Sequence, residues 1–168
     1  MGKRTLTWIL RAAVMALALT VPTGVFGGDE EIAFHNTVTA GLAANEVISE
    51  SGDQLSFALG FDYLYRFHPK WEVGFQVDLN YDRSFDHESD ALVPIVAYSV
   101  TERLPVFVGV GVERERDTGH TEWLARLGFE YTFFLDRNER VMLLPGGFLD
   151  YLDGEVLLSA VLAVGYTF

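Results

Sequence analysis

Residues 70–82 read KWEVGFQVDLNYD. Trp71, Val73, Phe75, Val77, Leu79 and Tyr81 occupy one parity, and Glu72, Gly74, Gln76, Asp78 and Asn80 the other. Such strict alternation predicts a β-strand, because successive side chains point to opposite faces of a pleated chain. Which face is inside decides the fold. In a soluble barrel or sandwich the aromatic face packs on a core and the carboxylates meet water. In a membrane barrel the aromatic face meets hydrocarbon and the polar face fills the lumen.

The same pattern recurs along the chain. Segments at 31–44, 53–67, 70–82, 91–102, 104–116, 120–135, 139–149 and 155–168 read as eight strands. The turn signals SGD, HPK, DHESD, ERLP, DTGH, DRN and LDG separate them. No segment has a helical period. In 53–67, Leu55, Phe57, Leu59, Phe61, Tyr63, Tyr65 and Phe67 share one face; in 120–135, Trp123, Ala125, Leu127, Phe129, Tyr131, Phe133 and Leu135 do.

The glycines favour one sidedness. Gly41, Gly60, Gly74, Gly109, Gly111, Gly128 and Gly165 all fall on the polar parity of their strands. A soluble core wants bulk at its inward positions. An eight-stranded membrane barrel has an interior just wide enough for side chains, which small and charged residues fill. Its outward face is the insoluble one. The expected fold is therefore all-β, an eight-stranded antiparallel up-and-down transmembrane barrel over 29–168. The competing fold is a soluble calyx with the aromatics lining a ligand cavity. Pro94 and Pro145 fall inside predicted strands, where each removes a ladder hydrogen bond, so bulges or shifted strand boundaries are expected there.

The first 28 residues differ in kind. Lys3, Arg4 and Arg11 precede or flank the apolar run 12–21, and PTGVFG follows. This is the order of a secretory signal peptide, and the run is too short for a spanning helix, which takes about 20 residues. The chain has no Cys, so neither a lipoprotein anchor nor a disulfide framework is expected. Residues 1–28 hold three of the twelve basic residues and none of the acidic ones. Without them nine bases face 24 acids, a net charge of −15. Lys70 is then the one lysine left. Such a balance argues against nucleic acid as a partner, because phosphate binding needs clustered Lys and Arg.

With the aromatic face outward, Asp62, Arg66, Glu72, Gln76, Asp78, Glu113, Arg126 and Glu130 point into the lumen. Folding 53–67 onto 70–82 about the HPK turn pairs Arg66 with Glu72 and sets Asp62 opposite Gln76. Arg126 has Glu130 four residues along its own face and Glu113 on the preceding strand. Buried charges must be paired, so these residues are expected to plug the barrel; a charged gate across a narrow pore is the functional alternative. No metal or other cofactor is expected.

The last residues place Leu162, Val164, Tyr166 and Phe168 on one face. Here the chain resembles the small OmpA/OmpX-type outer-membrane β-barrels of Gram-negative bacteria. The resemblance implies a final strand whose aromatic end, Tyr166 and Phe168, is read by the barrel-assembly machinery. It also implies both termini in the periplasm, and lipid and lipopolysaccharide as surroundings. Alternate connections at 45–53, 82–91, 115–121 and 149–155 then face outward and carry most of the acids. Their rim could meet lipopolysaccharide phosphates through divalent cations. DHESD (86–90) spaces oxygen ligands as a hard-cation loop might, without the Gly turn and distal Glu of an EF-hand.

Some barrels of this kind hydrolyse lipid A with a His and a Ser on the barrel wall. FHNTVTAG offers His35 and Thr37 two apart, with Thr for the nucleophile and in the wrong strand for that family. The expected role is therefore non-enzymatic, structural or surface-directed. The runners-up are a small pore for minor solutes and a lipid A-modifying hydrolase. Export makes the first prediction: the intact mass of protein recovered from outer membranes should correspond to cleavage near Gly27 or Gly28. A species retaining Met1 to Val25 would refute it.

Overall fold

A computed structural model describes residues 35–48 and 54–168; segment 1–28, with its expected cleavage, lies outside them, as do Glu50 and Asp53. The strands are β1 (Asn36–Ile48), β2 (Gln54–His68), β3 (Trp71–Tyr81), β4 (His87–Thr101), β5 (Leu104–Glu115), β6 (Thr121–Glu130), β7 (Phe133–Phe134), β8 (Val141–Leu152) and β9 (Glu155–Thr167). Every pairing is antiparallel. β1 pairs with both β2 and β9, and β6 pairs with β8, so the sheet closes on itself. β6 and β7 are one stave in two pieces, and the nine elements make eight staves. The near end of the barrel holds Asn36 and Phe168, whose backbone groups exchange hydrogen bonds of 2.9 and 2.8 Å.

The aromatic face is outside. Trp123 is 75% exposed, and Leu42, Phe61, Val108, Val110, Leu127, Phe129, Leu162 and Val164 are exposed with it. Glu72, Gln76, Asp78, Arg126 and Glu130 are buried on the other parity. The soluble calyx is thereby excluded, since the aromatics do not line a cavity. Aromatic pairs collect towards the two ends, as in interfacial girdles. Trp71–Tyr98, Tyr131–Phe133 and Tyr166–Phe168 lie at the near end; Phe57–Phe85 and Tyr81–His87 lie at the far end.

The interior departs from the expectation that it is only small and charged. Val93, Ile95, Phe107, Leu124 and Phe148 form an apolar wall inside β4, β5, β6 and β8. Charge occupies β2 and β3, one crossing point described below, and the flanks of this wall at Glu113 on β5 and Glu130 on β6.

Neither proline makes a bulge. Pro145 faces Tyr131 in a register that is the same for Glu130↔Gly146 and for Phe133↔Leu143. The Tyr131 N–H still donates to the Pro145 carbonyl at 2.8 Å, but Pro145 has no N–H to return. That single missing bond is what divides β6 from β7. Pro94 likewise interrupts the β4–β5 ladder between Leu92↔Val112 and Ile95↔Gly109 without shifting it. Glycines admit the close approach there: a Cβ on Gly109 would lie 2.6 Å from the Pro94 carbonyl oxygen, and one on Gly111 2.2 Å from that of Leu92. The register shifts fall instead at Arg66/His68, Asn80/Tyr81 and Ser99/Thr101.

The outward connections are shorter than expected. β4 begins at His87, and β8 and β9 meet in a two-residue turn of Asp153 (φ 45°) and Gly154 (φ 89°). Positive φ at both central residues is the type I′ hairpin that Asp-Gly favours. At the near end the Asp136 carboxylate accepts the N–H groups of Val141 and Arg140, at 2.8 Å each, and of Asn138. These bonds hold its carboxyl below the usual range.

Sidedness has a direct test. Phe75 sits mid-strand on the lipid face, and Gln76 is buried beside it. Phe75→Arg should cost about 2–4 kcal/mol of barrel stability near the bilayer midplane. Phe75→Leu, which keeps an apolar side chain on the lipid face, should cost less than about 1.5 kcal/mol, whereas Gln76→Leu gives up hydrogen bonds with both Arg126 and Asp62 and is destabilising in its own right. Urea unfolding in lipid vesicles measures the two Phe75 variants; a Phe75→Arg barrel as stable as Phe75→Leu would mean the barrel is inside out.

Candidate functional site

Among the described residues the inward parity carries the carboxylates of Asp62, Glu72, Asp78, Glu113, Glu122, Glu130 and Asp150 against the guanidinium groups of Arg66 and Arg126. They fall into separate groups. Asp150 was expected in an outward loop, but the extension of β8 to Leu152 carries it into the barrel on the parity of Met142, Leu144 and Phe148. Arg126 faces it directly in register.

Arg126 is the crossing point. Its side chain is 3% exposed. Nε and Nη2 donate to the two oxygens of Asp150, at 2.7 Å each. Nη1 donates to Asp78 at 2.7 Å and to Gln76 at 3.2 Å, both on β3. Its guanidinium carbon lies 3.9 Å from the centre of the Phe148 ring. The fork geometry suits this task, since a planar guanidinium serves two carboxylates at once. The hydrogen-bond and ion-pair partners of Arg126 are thus Asp150, Asp78 and Gln76, rather than the Glu130 and Glu113 that the sequence places near it. β3 and β6 are not adjacent staves, so Arg126 spans the lumen from one wall to another.

The other charges are held locally. The Arg66 Nε donates to Glu72 at 2.7 Å, in the register read from the HPK turn. Asp62 sits opposite Gln76 and accepts the Thr39 hydroxyl at 2.6 Å. Glu113 accepts from Ser89 and, at 3.2 Å, from Asn80. Glu130 has neither a hydrogen bond nor an ion pair among the described residues, and lines a cavity of about 830 Å³ that opens at the near end. Arg66, Glu72, Leu64 and Leu144 also line that cavity; Arg126, Asp78 and Asp150 do not.

The DHESD oxygens do not converge. Ser89 turns inward to Glu113, while Asp90 turns outward and meets His87 at 2.9 Å and Arg116 at 3.1 Å. No group of three metal-ligating side chains forms among the described residues. The Thr37 hydroxyl is shared with Thr167 at 3.1 Å rather than with His35, so the His-x-Thr pair is not assembled as a base and nucleophile. Phe168 lies beside Tyr166 at the closing seam.

No protein-family model matches the chain, and no curated protein matches it. Solved structures do. The chain is similar to Neisserial surface protein A (15% identity, 79% of this chain and 97% of that one, TM-score 0.56). It is similar to the Yersinia pestis attachment invasion locus protein Ail (13% identity, 80% and 99%, TM-score 0.53). It is also similar to the N-terminal β-barrel domain of Pseudomonas aeruginosa OprF (14% identity, 80% and 99%, TM-score 0.53). The fold is that of the small outer-membrane β-barrels.

Removing Arg126 separates a dry ion pair from a wet one. Arg126→Ala leaves Asp78 and Asp150 buried without their counterion and should destabilise by about 3–5 kcal/mol. Arg66 is 37% exposed at the cavity wall, where water from the cavity can replace it on Glu72, so Arg66→Ala should cost less than Arg126→Ala. Equal losses in urea unfolding would show that water reaches Arg126.

Proposed function

We propose that this chain is a non-enzymatic outer-membrane barrel with a structural or surface-directed role, its lumen stopped by paired charge. The reading rests on one observation: the Arg126 guanidinium joins Asp150 on β8 to Asp78 on β3 across the lumen. A solute passing the barrel beside Arg126 would have to break charge-assisted bonds in a buried site, and the apolar residues Phe107, Leu124 and Phe148 on the same staves support that reading. The loop-bearing far end, facing outward, would present Asp82, Asp86, Glu88, Glu115 and Asp117 to lipopolysaccharide, with divalent cations bridging carboxylate and phosphate. Tyr166 and Phe168, on the strand that closes the seam, would be what the assembly machinery reads.

A second reading keeps a specific observation in its favour. A cavity of about 830 Å³ already opens into the barrel from the near end, and a pore would need Arg126 and the residues packed around it to move aside. Planar-bilayer recording distinguishes the two. The wild-type barrel should show no sustained conductance of porin size, whereas Arg126→Ala, if it folds, should show openings. A steady wild-type channel would favour the pore.

A further inference from the structure

The near-end cavity has a floor, walls and a mouth of different chemistry. Glu130, 9% exposed, and Glu72, also buried, provide its acid. The Glu130 stem is packed against β8 where a side chain is missing: a Cβ on Gly146 would lie 2.9 Å from Glu130 Cγ. Its carboxylate is thereby aimed inward. Glu72 keeps Oε2 after Oε1 has taken Arg66. The walls include Leu64, Phe134, Met142 and Leu144. The mouth is made by turn residues, with Lys70, Arg103 and Arg140 beside Glu102 and Glu139. A buried carboxylate without a donor is costly, and every other lumen carboxylate has one.

We infer that this vestibule is a binding site for a small primary alkylammonium, its ammonium on the Glu130 carboxylate and its alkyl chain against Leu64, Met142 and Leu144. The ligand supplies what the floor lacks. A primary ammonium has three N–H donors, enough for Glu130 and the second oxygen of Glu72 together. Its methylenes suit apolar walls that a hydrated metal ion would leave wet. Magnesium is a poor fit, since it needs near-octahedral oxygen ligation and no trio of ligating side chains is present among the described residues. The site lies on the near side of Arg126, so its occupancy is independent of whether the lumen conducts.

The test uses the folded barrel in nanodiscs of zwitterionic lipid, titrated calorimetrically with n-butylammonium chloride. Saturable one-site binding is expected. Tetramethylammonium, which carries the charge but no N–H, should bind at least ten-fold more weakly, and magnesium should not displace butylammonium. Glu130→Gln should weaken binding about ten-fold or more, as loss of a charge-assisted hydrogen bond does. Asp153→Asn, which removes the same charge from the far-end turn, should leave affinity within about two-fold. On the wild type, nuclear Overhauser contacts should join the butyl protons to the Met142 and Leu144 methyl groups, a measurement that needs no variant to fold. Absence of saturation or of those contacts, equal binding of tetramethylammonium, displacement by magnesium, or an unaffected Glu130→Gln would each overturn the assignment.

Discussion

Hydrocarbon offers no hydrogen bonds, and the whole structure answers to that fact. Each backbone N–H or C=O left unpaired in the bilayer costs several kcal/mol, so a sheet in lipid must close. Closure by β1 on β9 and β6 on β8 turns every strand into an interior strand. It explains why alternation is so strict: one parity is committed to lipid and the other to a lumen too narrow for bulk on all sides. It also explains how two prolines are tolerated. Each removes one bond from a ladder whose register is held on both sides, and flanking glycines let the strands stay close.

The lumen solves a second problem, the filling of a narrow tube. Half of the solution is conventional packing, with Phe107, Leu124 and Phe148 against Val93 and Ile95. The other half is electrostatic. Arg126 stacks on Phe148 and binds two carboxylates, so one side chain belongs to both halves. Moving a guanidinium out of water is expensive, and only near-complete pairing offsets it. Five hydrogen-bonding nitrogen–oxygen contacts would saturate it; the four observed bring it close.

Legibility followed periodicity. The KWEVGFQVDLNYD strand could be oriented from its sequence, and the HPK turn was short enough to give the β2–β3 register, including Arg66 opposite Glu72. Arg126's real partners could not be read that way. Asp78 is brought to it by barrel closure, which no local pattern encodes, and Asp150 was hidden by Pro145-Gly146-Gly147, which blurs the alternation of β8. Carrying the parity of Met142 and Leu144 through that interruption would have found it. The apolar inner wall was obscured because residues 91–97 are apolar on both parities, so parity there carried no polarity. The DHESD segment misled for another reason: from His87 it is already strand β4, so Ser89 and Asp90, as consecutive residues, point to opposite faces.

The break between β6 and β7 has a dynamic meaning. Around Pro145 the ladder lacks a bond and the stave itself is interrupted at 131–132, whereas Pro94 leaves β4 continuous, so local opening there needs less free energy than global unfolding. Thr132, Phe134, Met142 and Leu144 flank the break and also line the vestibule. Amides on this stretch should therefore exchange with solvent ahead of those in β1 and β9. The wall that bounds the cavity is the one most able to breathe, and a rigid cylinder acquires one soft stave through which its cavity can change volume.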